Sequence, residues 1–269
     1  MPGRFEGLSD LEWMLFEDLF PVAEKRGRGM SPTPPRKVIN SLLYLLITGS
    51  RWADLPKDNQ WASKSSGHRW LQRWFQDGTF GALKAIILGI AQKKGMINWN
   101  YGAVDGSFSS GKGGGQDVKY GYKGKGILIH LIVDGEGMPL SAHTTAANGD
   151  ERKQVEPLLE KIDVRTRKPG RPPKHPKKLA GDKGYDSKCL RKKLKARGIQ
   201  PQIPKRKNAK RRLGRPPKMD VPRFKVERAF SWLQRKFRRL VVRWERLSCC
   251  FDAFLSLGII FMWTQRLVG

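Results

Sequence analysis

Asn100-Tyr-Gly-Ala-Val-Asp-Gly-Ser-Phe108, Gly126-Ile-Leu-Ile-His-Leu-Ile-Val-Asp134 and Met138-Pro-Leu-Ser-Ala-His-Thr-Thr145 decide the fold. Each is short, apolar and β-rich, and Asp134-Gly-Glu-Gly137 between the last two is a hairpin signal. Asn148, with Glu151 three positions on, has the spacing of a capping box and opens a helix to about Ile162. A short strand then runs into Asp182, a helix covers Ser187–Arg197, and a strand covers Ile199–Pro204. Pro222 starts a helix to about Arg238, and a last helix lies near Phe251–Leu267. The order is β-β-β-α-β-α-β followed by a long helix, which is an α/β pattern.

Upstream the period changes to 3.6. Ser9 caps Leu11–Phe20, and Pro21 stops it. Pro34-Pro35 opens a run to Ile47 with Val38, Leu42, Leu45 and Leu46 at helical spacing, ended by Thr48-Gly49. Ser65-Ser66-Gly67 precedes a helix over His68–Gln76, and Gly81–Lys93 is another. The division expected is a helical domain over 1–95 and an α/β domain over 96–269. Basic linkers fall at 165–178 and 205–220, and Gly-Arg-Pro-Pro-Lys occurs in both, at 170–174 and 214–218.

The 269 residues carry 53 Lys and Arg against 24 Asp and Glu, a net charge of +29. That excess excludes an ordinary enzyme of small neutral substrates and points to a polyanion, nucleic acid or an anionic membrane. Residues 161–218 hold 23 basic and 3 acidic residues, so +20 of the charge sits there. With 39% hydrophobic residues the chain has a core and is no disordered basic tail. Three cysteines, Cys189, Cys249 and Cys250, make neither a CxxC pair nor a disulfide framework, and a reducing cytosol fits them. Met1–Asp10 has no apolar signal region. The run Phe251–Trp263 is interrupted by Asp252 and shorter than the ~20 residues a bilayer needs, so it reads as a buried helix.

Against so many bases, three acids are informative. Asp105 ends an uncharged strand, Asp182 follows another, and Glu227 is the only acid between Asp220 and Glu245. At about 100° per residue, Val226, Phe230, Leu233 and Phe237 form the buried stripe of the Glu227 helix. Arg223, Glu227 and Gln234 flank that stripe. Three carboxylates brought together repel unless a cation lies between them, and oxygen ligands suit Mg²⁺ or Mn²⁺. Two such ions activate a hydroxyl and stabilise the leaving oxygen of a phosphodiester. The plainer reading makes Asp105-Gly106 a turn, Asp182 a cap through Gly184, and Glu227 a partner of Arg223.

These segments resemble bacterial insertion-sequence transposases of the DDE type, in the insertion-sequence-five family within the insertion-sequence-four-like superfamily. The likeness runs through Thr48-Gly-Ser-Arg-Trp-Ala-Asp-Leu-Pro56, Ala103-Val-Asp-Gly-Ser107, Gly124-Lys-Gly-Ile127, Ala180-Gly-Asp-Lys-Gly-Tyr-Asp186 and Arg223 through Leu240, nearly the whole chain. It implies a ribonuclease-H-like catalytic core, β-β-β-α-β-α-β-α, preceded by an all-helical domain of helix-turn-helix type. Asp105, Asp182 and Glu227 would be the triad, holding two Mg²⁺ or Mn²⁺ ions. The superfamily signature Tyr-x₂-Arg-x₃-Glu-x₆-Lys is half met: Arg223 and Glu227 fit, while Asp220 replaces the Tyr and Gln234 the Lys. The implied activity is metal-dependent cleavage and strand transfer of double-stranded DNA at terminal inverted repeats, into target DNA. A dimer or higher oligomer on DNA, no membrane, and a bacterial cytoplasmic, nucleoid-associated location go with it. The competing class is a catalytically inactive DNA-binding protein, a repressor or transposition inhibitor.

Lesser signals sort by the same physics. Gly106–Gly113 almost spells a P-loop, but Gly113 stands where a hydroxyl must bind Mg²⁺. It reads instead as a flexible loop near the active site, with Lys112 available to a phosphate. The Gly-Arg-Pro-Pro-Lys repeats resemble AT-hook cores, or are Pro-stiffened linkers that touch DNA only by charge. Candidate DNA contacts are Arg69 and Arg73 on a helix face, Lys112, Arg171, Lys174, Lys183, Lys205, Arg206, Arg211, Arg215, Lys218 and Lys236. Trp52, Trp61, Trp70 and Trp74 read as core of the helical domain, and His130 as a core histidine.

Overall fold

Alternating apolar residues build three long antiparallel strands: β1 (Gly102–Ser110), β3 (Gly124–Asp134) and β4 (Pro139–Ala146). The structure, a computed structural model, describes residues 5–20, 31–166, 172–205 and 223–269. A three-residue strand, β2 (Lys119–Gly121), pairs with the start of β3. The β3–β4 turn is held by Asp134, whose buried carboxylate accepts from the backbone N–H of Glu136 (2.9 Å), Met138 (2.8 Å) and Asn98 (3.0 Å). A buried carboxylate is tolerated because three N–H donors satisfy it.

Two short strands complete the sheet in parallel with β1: β5 (Lys178–Ala180) and β6 (Gln200–Gln202). The spatial order is β4-β3-β1-β5-β6, with β2 beside β3. β1 meets β5 only at Gly102↔Leu179 and Ala103↔Ala180, so the two strands part just before Asp105. Asp105 thus lies inside a nine-residue strand rather than at its end, on the stretch β5 no longer covers.

Helices cover both faces. α5 (Glu151–Glu160) and α6 (Lys188–Ala196) follow β4 and β5, and α7 (Phe224–Lys236) contacts β1 and β3. Asp150 caps α5, accepting from the Arg152 N–H, so the expected Asn148–Glu151 capping box is not the one formed. Asp150 immediately precedes the first turn, so its carboxylate reaches the free N–H of Arg152 directly. On α7, Val226, Phe230, Leu233 and the following Phe237 are buried, as the helical stripe requires.

The N-terminal helices are α1 (Asp10–Met14), α2 (Pro35–Thr48), α3 (Lys64–Gln76) and α4 (Thr79–Lys93). Ser9 caps α1 in a full capping box, and Pro35 opens α2, which Gly49 ends at φ 70°. Ser63, not the later serines, caps α3. α8 (Ser248–Val268) is sheathed by α2, α3, α4 and β4, and Trp263 Nε1 donates to Pro139 O at 2.6 Å. Its 21 residues are long and apolar enough to cross a membrane, which the interrupted Phe251–Trp263 run did not foretell. In the fold 72% of its most apolar window is buried inside the protein. The first helices and the last one therefore share a core.

Candidate active site

The fork between β1 and β5 gathers the charged groups. Asp105 Oδ1 accepts from its neighbour's backbone N–H, Gly106, at 2.8 Å. Burial raises the Asp105 pKa above the ordinary carboxylate value. The Gly106 N–H and the nearby Arg223 guanidinium pull it down, while Asp182 and Glu151 push it up. Asp182 follows β5 directly, and its Oδ1 accepts from the Gly184 N–H at 2.7 Å, capping a short 3-10 turn. The plainer cap reading of Asp182 is thus part of the geometry, and it fixes the carboxylate at the fork.

Glu227 sits on the solvent side of α7, paired with Arg223 at 2.5 Å. The Arg223 pKa is raised, first by the Glu227 hydrogen bond and further by the charges of Glu227, Asp105 and Asp182. One guanidinium thus faces all three expected carboxylates and links Glu227 to the other two. Among the described residues, no three acidic, histidine or cysteine side chains are gathered tightly enough to hold a metal ion as they stand. Gln234 Nε2 donates to Ser107 Oγ at 3.2 Å, fastening α7 to the face of β1 that also carries Asp105.

The sequence reading did not place Glu151 beside the sheet, where the structure has it. A Cβ built on Gly106 would lie 3.2 Å from the Glu151 carboxyl carbon and Oε2. Glu151 therefore approaches β1 from the α5 face through the gap that glycine leaves. Tyr185 lies beside it, 1% exposed. Burial raises the Tyr185 pKa most, followed by the charges of Glu151 and Asp105, a hydrogen bond to Glu151 and the charge of Asp182. A signal was present: glycine directly after the acid, in the middle of a strand where a side chain normally helps packing.

The basic candidates scatter more widely. Arg69 and Arg73 lie on the exposed face of α3, with the Arg73 guanidinium 5.1 Å from the Trp70 ring centre. Lys174 and Lys205 are exposed, and Lys183 is exposed on the turn after Asp182. Lys112 is exposed, but β1 runs on to Ser110. That places the Lys112 loop about 17 Å along the strand from Asp105 at ~3.3 Å per residue. Nor is the loop loose: the Gly113 N–H donates to Arg243 O and the Gln116 N–H to Arg246 O. Both features correct the flexible loop expected near the site. Lys236 donates to Gln265 Oε1 and lies 5.3 Å from the Phe261 ring centre, so its side chain is turned toward α8. Arg171, Arg206, Arg211, Arg215 and Lys218, with Asp220 and all but 172–174 of the two proline repeats, lie outside the described residues. Trp74 is buried and meets Trp70, Phe20 and Phe80, as core rather than an open stacking surface.

A basic α/β chain with acids gathered at a strand fork defines a broad class, α/β proteins whose charge suits a polyanion. Comparison with known proteins narrows it. Residues 8–84 match the family described as "Putative transposase of IS4/5 family", and residues 101–220 and 179–264 match "Transposase DDE domain" families. The chain is 39% identical over 133 residues to the "Putative transposase for insertion sequence element IS402" of Burkholderia cepacia, covering 49% of this chain and 60% of that protein. It is 30% identical over 114 residues to the "Insertion element IS402 uncharacterized 16.2 kDa protein" of the same organism, covering 41% of this chain and 78% of that one. To the "Transposase for insertion sequence element IS1106" of Neisseria meningitidis serogroup B it is 35% identical over 125 residues, covering 45% and 38%. The matches to these two transposases thus span 60% and 38% of their lengths. A piggyBac transposase synaptic complex with hairpin DNA aligns over 98% of this chain and 74% of that one, at TM-score 0.45 and 10% identity, too slight a likeness to argue from. The chain belongs to the bacterial insertion-sequence transposases of the DDE type.

Proposed function

We propose that this chain binds the terminal inverted repeats of an insertion sequence and catalyses metal-dependent DNA strand cleavage and strand transfer. The observation that carries the proposal is the fork. Asp105 and Asp182 come together where β1 and β5 part, and Arg223 draws Glu227 toward them. The strand order, three antiparallel strands followed by two parallel to the first, is consistent with a ribonuclease-H-like core and supports the same reading. We assign 1–95 to DNA-end binding and 96–269 to catalysis, with the two parts sharing the α8 core.

The donor set fits divalent cations. It consists of carboxylate oxygens, Asp105 is destabilised as an anion by burial, and a protein cation already faces the group. Asp105, Asp182 and Glu227 would hold Mg²⁺ or Mn²⁺, which supplies water activation and stabilisation of the leaving oxygen when bound. The chain's own residues do the rest. Exposed lysines and arginines bind the phosphodiester backbone, Asp182 stays fixed through the Gly184 N–H, and Gln234 keeps α7 against β1. Positioning and electrostatics suffice for phosphoryl transfer, so no covalent protein–DNA intermediate is needed. Joining two ends at once calls for a dimer or higher assembly on DNA, in the bacterial cytoplasm.

The test is cleavage of a labelled inverted-repeat duplex with Mg²⁺. Wild type is expected to nick the end, while Asp105→Asn and Asp182→Asn bind it but lose cutting by at least a hundredfold. Undiminished cutting by Asp105→Asn refutes the assignment. Binding without nicking by the wild type favours the inactive DNA-binding protein instead.

A further inference from the structure

Residues 5–20 carry the opposite charge to the rest of the chain. They hold five acids, Glu6, Asp10, Glu12, Glu17 and Asp18, and no lysine or arginine, within a chain of net charge +29. Glu12 serves the Ser9 capping box, and Asp10 pairs with Arg36 at 2.7 Å. Glu6, Glu17 and Asp18 are exposed. Two large apolar side chains are exposed among them, Leu11 at 65% and Met14 at 62%. At about 100° per residue, Leu11, Met14 and Asp18 share one side of the run through α1 and the short 3-10 turn after it, and Trp13, Phe16 and Phe20 take the other. The inner side is occupied: Phe16 and Phe20 are buried, and the Trp13 ring stacks on Phe20 with ring centres 5.8 Å apart. The outer side is an acidic and apolar face that the described residues leave uncovered.

Its complement lies beside it. An open groove of about 790 Å³ between the last turns of α7 and α8 is lined by Met96, Met138, Met262 and Trp232, with Arg235 and Arg266 at its rim. Methionines are adaptable and suit a docked apolar side chain, and Trp232 is 41% exposed. Lys236 of the same groove lies 5.3 Å from the Phe261 ring centre, and the Phe5 ring meets Phe261 at 6.0 Å. Burial lowers the Lys236 pKa and the charge of Glu12 opposes this, so α1 borders the groove. Adjacent complementary patches are what a two-fold interface needs, because each patch of one copy then meets the other patch of its partner. Charge decides what can sit there. The acids beside the groove repel a phosphodiester backbone. Two copies at +29 each repel as wholes and can meet only where opposite charges face, and residues 5–20 supply five of the chain's 24 acids.

We infer that this surface joins two copies of the chain, the face carried by residues 11–18 of each copy seated in the α7–α8 groove of the other. The inference rests on the functional reading above for its need of two copies, and it names the contact that holds them. Leu11 and Met14 meet the methionines and Trp232, while Glu17 and Asp18 meet Arg235 and Arg266. The two-fold repeats both sets, so each dimer carries two such contacts.

Sedimentation of the full chain without DNA tests this, using two charge-reversed variants. Glu17→Lys with Asp18→Lys alters only the acidic face, and Arg235→Glu with Arg266→Glu alters only the groove; all four positions are exposed. The wild type is expected to dimerise. Each variant alone should weaken its own dimer by about tenfold or more, because like charges then face each other at both contacts. An equimolar mixture of the two should return association to near the wild-type level, since both contacts of the mixed pair again join opposite charges. Misfolding cannot produce that rescue. Leu11→Ser with Met14→Ser changes no charge and should weaken the dimer as well, which keeps the test decisive if a reversed variant folds poorly. A wild type that stays monomeric at its highest soluble concentration, variants that dimerise as the wild type does, or a mixture of folded variants that restores nothing each overturns the interface. The functional reading fails separately. A monomeric wild type that still nicks the inverted-repeat duplex overturns the interface alone, and a dimer that never nicks it overturns the functional reading alone.

Discussion

Asp105→Asn should make the protein more stable and less useful at once. The carboxylate is raised in pKa chiefly by burial, and the attraction of Arg223 does not cancel that. Its charged form is therefore a net cost to the fold at neutral pH. Asparagine keeps the oxygen that accepts the Gly106 N–H and removes the charge. The gain is on the order of 1 kcal/mol, the usual size for relieving a functional strain. A 269-residue chain unfolds with an entropy of about 0.6 kcal/mol per degree, so Tm should rise by about 2 °C in chelator. Saturating Mn²⁺ reverses the order. At a hundred times its dissociation constant a bound ion contributes about 2.7 kcal/mol, or about 5 °C, to the wild type and little to the variant. The pH dependence fixes the sign independently. A carboxyl whose folded pKa lies above its unfolded value binds more protons when folded, so wild-type stability falls as pH rises through that interval. The advantage of Asp105→Asn should thus be full above the raised pKa and vanish below the unfolded value of 3.8. Scanning calorimetry in chelator and in Mn²⁺, across pH, measures all of this. A variant that melts lower than wild type in chelator, or that gains as much from Mn²⁺, refutes the account of Asp105 as a buried, cation-seeking charge.

Two further outcomes test the frame around the site. Arg239 and Glu245 form a buried pair at 2.6 Å, and the Arg239 guanidinium also donates to Ser50 O and faces the Phe254 ring at 5.0 Å. Glu245→Gln leaves that arginine charge buried without its counter-charge. It should cost about 3–5 kcal/mol, a drop in Tm of roughly 5–8 °C, and a shift below about 1 °C would contradict this. His130 is fully buried, with Nε2 at 2.7 Å from Thr145 Oγ1, and its pKa is pushed down to about 3 by burial, with the His143 charge adding to this. Its unfolded form gains a proton near pH 6.5 while the folded form does not, so stability is complete above that pH and drains away below it. Between pH 7.5 and 5.5 this single group should remove about 1.4 kcal/mol. Denaturant titrations of His130→Asn should show a flatter slope over the same interval, and an unchanged slope would count against a neutral buried imidazole.

What was legible in the sequence follows from the range of the forces involved. Hydrophobic period and turn chemistry act over a few residues, so the three long strands, α2, α4, α6 and α7 stand within a few residues of where the pattern puts them. The strand into Asp182 is only three residues long and needs just two rungs of pairing with β1, yet it sets the fork. Where β1 ends was not legible, because Ser109 and Ser110 are held by partners far along the chain: Ser109 Oγ donates to Leu240 O, and Arg243 N–H to Ser110 O. The choice of Asp150 over Asn148 as the cap of α5 turns on local geometry two residues wide, below the resolution of a spacing rule. Glu151 was hidden for the same reason: once assigned to the helix end, it had no apparent reason to reach the sheet.

The chain's charge then has a structural logic beyond attraction to DNA. Folding favours few buried charges, and catalysis of phosphoryl transfer by bound cations requires several acids at one edge. Arg223 reconciles the two, since its guanidinium faces Asp105, Asp182 and Glu227 and lowers their mutual repulsion in the free protein. On that argument Arg223→Ala should not merely weaken DNA contact. It should leave the acids less compensated, so that the variant loses stability in chelator and regains a larger share of it on adding Mn²⁺ than the wild type does. Thermal melts with and without Mn²⁺ read this directly. An Arg223→Ala protein whose response to Mn²⁺ equals that of the wild type would show that the arginine serves only its surface pair with Glu227.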